Sequence, residues 1–151
     1  MKLYIPVIYL IYLQKNNEIF TSISPQRFVT NEELEIAHTQ QFVKDIHESK
    51  TKIAKAAEMI LLNALPIHLL QNSLVIPFKW QTAGSVLAAH QALLHKWSIN
   101  LGGGFHHASS ATAEGFCLMA DISLIFKYLW EKVDPNLKFM IVDLDAHQGL
   151  I

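Results

Sequence analysis

The chain is 151 residues long, 51% hydrophobic and 17% charged, against roughly a quarter charged in an average soluble domain. Twelve Lys and Arg against 13 Asp and Glu leave a net charge of −1, which excludes a strongly basic nucleic-acid binder and an acidic disordered tail. A single cysteine, Cys117, excludes an intrachain disulfide framework and fits a reducing compartment. The length suits one complete domain or a piece of a larger α/β domain, which often runs to about 250 residues.

The first 20 residues read as a unit apart. Lys2 followed by the apolar run Leu3–Leu13 has the charged start and short hydrophobic core of a signal peptide. No small-residue cleavage site follows, and the run is too short for a bilayer, which needs about 20 residues. Its Tyr, Ile and Val content equally suits a buried β-strand. No membrane span is expected.

From Thr30 the pattern turns helical. Thr30-Asn31-Glu32-Glu33 is a capping-box sequence, and Leu34, Ala37, His38, Phe42 and Ile46 follow on a mainly apolar face. A second helix is predicted over Lys50–Asn63, closed by Pro66. A loop around Val75-Ile76-Pro77-Phe78 then precedes a longer helix, Gln81–Trp97, whose apolar stripe keeps the 3.6 period.

Ser98-Ile99-Asn100-Leu101 is short enough for a strand and runs into Gly102-Gly103-Gly104-Phe105-His106-His107. A small-residue loop, Ala108–Gly115, leads to a helix predicted over Phe116–Lys132, broken by Asp134-Pro135. A second apolar run, Lys138–Val142, ends in Asp143-Leu144-Asp145-Ala146-His147-Gln148-Gly149. Strand, loop, helix and strand make a βαβ unit. The predicted fold is therefore α/β with a parallel sheet.

In open α/β sheets, ligands bind beyond the carboxyl ends of the strands. Both polar clusters fall there. Asp145 and His147, two apart in extended backbone, face one side, and a carboxylate oxygen and an imidazole nitrogen are both zinc donors. Asp143 shares that side and can orient an imidazole. The competing reading is a strand end with solvated aspartates and a chance histidine. His106 and His107 suit acid–base work near neutral pH; a flexible glycine loop with two exposed histidines is the bland alternative. Cys117 reads as a reactive thiol at a helix start or as a small buried hydrophobe. His38 and His90 read as core or boundary residues.

Taken together, residues 102–107, Gly115-Phe116-Cys117 with Ala120-Asp121-Ile122, and residues 143–149 resemble the zinc-dependent histone deacetylases over roughly residues 25–149. Ala146-His147-Gln148, in place of a second tandem histidine, is most similar to class IV. The resemblance implies a three-layer αβα fold with a parallel sheet, of the arginase/deacetylase type, present here in part. It implies that Asp145 and His147 are zinc ligands, that His106 and His107 are the general base and acid, and that Asp143 backs His106. Gly115 and Phe116 match the neck of the acyl-lysine channel. The implied reaction is hydrolysis of acyl-lysine amides on proteins such as histones, in the nucleus or cytoplasm. Corepressor-type protein partners are implied, and direct nucleic-acid binding is not.

The sequence departs from the family at Leu150, where a residue able to bond His107 is expected. The third zinc ligand, an Asp, and an oxyanion-stabilising Tyr would lie beyond Ile151, and Met1–Phe20 has no match to the family's opening. The expectation is a front portion of a deacetylase domain, residues 21–151, with impaired activity. A non-catalytic fragment acting by partner binding is the alternative. Arginase-like ureohydrolases share the architecture but need an Asp where Gly149 stands.

Overall fold

The computed structural model describes residues 21–150; the Leu3–Leu13 run lies outside the described residues. Helix α1 (Asn31–Leu34) starts at the predicted capping box: Thr30 Oγ1 accepts the Glu33 N–H at 3.2 Å, and Glu33 Oε2 accepts the Thr30 N–H at 2.8 Å. Arg27 grips the same Glu33 carboxylate through two 2.7 Å bonds. Helix α2 (Gln40–Glu48) is capped by Thr39, and α3 (Lys50–Ala56) by Ser49, each hydroxyl accepting an orphan amide of the first turn.

Helix α3 stops well short of Asn63. Glu58 takes a left-handed backbone (φ 51°), the Met59 N–H returns to the Ala54 carbonyl, and a 3₁₀ turn covers Ile60–Ala64. Helix α4 (Ile67–Leu70), a π-turn (Gln71–Val75) and α5 (Ile76–His95) then follow without interruption. The loop expected at 75–78 is therefore helical. Pro77 would leave the carbonyl four residues back without a donor. The preceding residues widen to π spacing, with the Ile76 N–H donating to the Gln71 carbonyl. Lys96, at φ 75°, ends α5 in the left-handed conformation.

Helix α6 (Asp121–Lys132) begins five residues later than the sequence predicted. A tight turn with φ 54° at Gly115 and φ 60° at Phe116 occupies the expected first turn, closed by the Cys117 N–H on the Glu114 carbonyl at 2.8 Å. The main core joins Leu34, Phe42, Ile46 and Ile53 to Leu70 and Val75, and to Leu118, Met119 and Leu124 around the start of α6. Helix α5 packs against α6.

Among the described residues the parallel sheet is not formed, and the only β pairing is an isolated antiparallel bridge between Glu114 and Cys117. Neither Ser98–Leu101 nor Lys138–Val142 forms a ladder, so the described part is helical rather than α/β, with no three-layer αβα arrangement. A strand exists only through hydrogen bonds to a neighbour, and these two segments find none. Their side chains are correspondingly open, with Ile99 65%, Val142 67% and Met140 86% exposed. None of the described helices is long and apolar enough to cross a membrane.

Candidate functional site

Two segments meet at the site: the glycine-rich loop that follows α5 and the acidic segment 143–149. The loop is shaped by its glycines. Gly104 sits at φ 85°, where a side chain is strained. At Gly103 an added Cβ would lie 2.0 Å from Ser85 Oγ and 2.5 Å from Asp121 Oδ2, so only glycine lets the loop lie against the α5–α6 pair. His106 and His107 come next, their rings 4.0 Å apart between centroids and tilted by 44°.

The acidic segment folds on itself through its own carboxylates. Asp143 Oδ1 accepts the Asp145 N–H at 3.0 Å, and Asp145 Oδ2 accepts the His147 N–H at 2.8 Å. These backbone bonds hold both carboxyls below the ordinary aspartate range, helped by His106 at Asp143 and by His147 at Asp145. Both are therefore carboxylates, able only to accept. His106 Nδ1 donates to Asp143 Oδ2 at 2.7 Å, and His147 Nδ1 donates to Asp145 Oδ2 at 2.9 Å. His106 Nε2 lies 3.7 Å from Asp145 Oδ2, and the His107 and His147 rings stand 6.0 Å apart.

Five predicted residues, His106, His107, Asp143, Asp145 and His147, thus form one cluster. It borders an open cleft of about 220 Å³ whose walls include Gly104, Ile122 and Ile141. Gly115 belongs to the cluster as well, since a Cβ there would meet His107 Cδ2 at 2.4 Å. Phe116 stands beside it, 60% exposed. Leu150 offers no side-chain partner to His107; its side chain is exposed and its N–H donates to the His106 carbonyl at 2.7 Å. Cys117 is buried, its thiol pushed up by desolvation and donating to the Gly115 carbonyl, as a small core residue would.

As metal donors, Asp145 and His147 have the right chemistry and adjacent donor atoms. Among the described residues no group of three metal-ligating side chains converges. The residues present therefore fit two of the three protein positions of a catalytic zinc.

Sequence reasoning assigned no role to Asp121, quoted only as part of a motif. Its side chain is fully buried, and both carboxyl oxygens are engaged by the glycine-rich loop. An acidic residue opening a helix directly after the apolar Leu118-Met119-Ala120 was the available signal.

Comparison with known proteins decides the family. The histone deacetylase domain matches residues 8–149. The chain belongs to the histone deacetylase family. Histone deacetylase 2 of Arabidopsis thaliana is 37% identical over 117 residues, covering 78% of this chain and 30% of that protein. The acetoin utilization protein AcuC of Staphylococcus aureus strain MRSA252 is 30% identical over 129 residues, covering 82% of the chain and 32% of AcuC. AcuC of Staphylococcus xylosus is 28% identical over 130 residues, covering 84% and 33%. The chain spans about a third of the length of these relatives. No solved structure matches it significantly. Membership implies the arginase/deacetylase fold for the family.

Proposed function

We propose that this chain carries the proton-transfer pair and two zinc donors of an acyl-lysine amide hydrolase, a protein lysine deacetylase or deacylase. One observation carries the reading: the 2.7 Å His106–Asp143 pair stands in the same cluster as Asp145 and His147. Because Asp143 fixes the proton on Nδ1, His106 Nε2 is left as the basic nitrogen and takes a proton from the attacking water. His107, its ring beside that of His106, delivers a proton to the departing lysine amine. Zinc, held by Asp145, His147 and a third donor, would polarise the acyl carbonyl and acidify that water.

The lysine stem would pass Gly115 and the exposed Phe116 ring, whose apolar surface suits a methylene chain. Acylated proteins such as histones are the substrate class, reached in the nucleus or cytoplasm. Gln148, following His147, supports placement in class IV. The test is mass-spectrometric release of acetyl and longer acyl groups from lysine peptides. His107→Ala is expected to slow release more for poor leaving amines than for an activated anilide. Equal loss on both would remove His107 from the acid role.

A second reading, association with a protein partner such as a corepressor, is favoured by Met140, Val142 and Leu144, 86%, 67% and 91% exposed. Replacing Met140 with Ser would abolish such association and leave peptide hydrolysis unchanged.

A further inference from the structure

Asp121 opens α6 and is completely buried. A buried carboxyl group is costly unless every lone pair is used. Here Oδ1 accepts the Phe105 N–H at 2.8 Å, and Oδ2 accepts the Gly104 N–H at 2.8 Å and the Ser85 hydroxyl at 2.5 Å. Asn100 Nδ2 in turn donates to Ser85 Oγ at 2.8 Å. Two elements therefore converge on one side chain, α5 through Ser85 and the loop through two successive amides, while Asn100 from the segment after α5 holds Ser85. Those amides lie immediately before His106. Because Gly103 has no Cβ, the loop can press directly onto this carboxyl.

We propose that Asp121 is the positioning residue of the histidine pair. It clamps Gly104 and Phe105 so that His106 and His107 leave the loop at a fixed height and angle toward Asp143. It touches no reacting atom and acts only through the loop backbone. The alternative, a carboxyl that merely stabilises α6, would not require its oxygens to be spent on the loop. The catalytic consequence rests on the hydrolase reading above; the clamp itself does not.

The isosteric Asp121→Asn variant tests it. An amide offers one acceptor and one donor, so at least one loop N–H meets another N–H. In the full chain, labelled with ¹⁵N, hydrogen exchange at Gly104 and Phe105 should accelerate about tenfold or more, while the α2 amides of Val43 and Ile46 keep their protection. The ring ¹⁵N signals of His106, fixed in one tautomer by Asp143, should average toward a mixture. Where Asp121→Asn does not fold, Ser85→Ala is read in the same way, with a smaller effect of the same pattern. Acyl-lysine turnover is followed in parallel, and loss in kcat with KM within twofold is expected. Unchanged exchange at Gly104 and Phe105 and an unchanged His106 tautomer in a folded variant would overturn the clamp. Absence of turnover in the wild type, with the exchange pattern as expected, would overturn the hydrolase reading alone.

Discussion

His106 Nδ1 and Asp143 Oδ2 lie 2.7 Å apart across 37 positions of sequence, tying the glycine-rich loop to the acidic segment. The contact sets which imidazole nitrogen is free to act. An asparagine at 143 can still accept the bond, but it no longer carries the charge that favours a protonated imidazole. Asp143→Asn should therefore lower kcat for acyl-lysine hydrolysis by about 10²–10⁴ with little change in KM. Steady-state kinetics on an acetyl-lysine peptide check this, with circular dichroism confirming an unchanged fold. An equal rise in KM alone would place Asp143 in substrate binding instead.

Gly115 bears on His107 from the other side. Its φ is 54°, and a Cβ would stand 2.4 Å from His107 Cδ2. Gly115→Ala is expected to cost about 1–2 kcal/mol in backbone strain and also to push the His107 imidazole away from His106. Thermal unfolding reads the first effect, and peptide turnover reads the second. A variant as stable and as active as the wild type would contradict the arrangement.

His38 reports on the core. It is buried, stacked on Phe42 at 4.5 Å, and accepts the Ala120 N–H through Nε2 at 3.0 Å. Desolvation pushes its pKa down from 6.5 to about 4, only partly offset by the backbone of Ser110 and Ser109. The unfolded chain therefore takes up a proton between pH 6.5 and 4 that the folded chain refuses. Stability from this group is full above pH 6.5, falls by about 3 kcal/mol as the pH drops to 4, and is flat below. Urea unfolding at several pH values should show that slope in the wild type. It should flatten in His38→Gln; an identical slope in both would assign the acid sensitivity elsewhere.

The local chemistry of this fold was legible where a signal and its partner are close in sequence. Thr30 and Glu33 cap each other within one turn, and Asp134-Pro135 ends α6 as read. That His106, His107, Asp143, Asp145 and His147 would meet was expected from the family resemblance and from two predicted strand ends; the residues cluster although those strands do not form. Features that depend on distant neighbours were misread or missed. Pro77 looked like a break because nothing local announces that a π-turn precedes it. Ser98–Leu101 and Lys138–Val142 have strand-like composition, but pairing is a property of two segments, and neither meets a partner. The engagement of Asp121 with Gly104 and Phe105 spans 17 and 16 positions and leaves no periodic trace.

Zinc-dependent turnover of an acetyl-lysine peptide by the purified chain is the measurement that bears on whether this cluster hydrolyses acyl-lysine. With two donors in the described residues, hydrolysis is expected to be slow, to rise with added zinc and to be abolished by a chelator. A loss of at least about 10²-fold is expected in Asp145→Ala and in His106→Ala. Hydrolysis absent at every zinc concentration in a folded chain, or unchanged in both variants, would contradict that role.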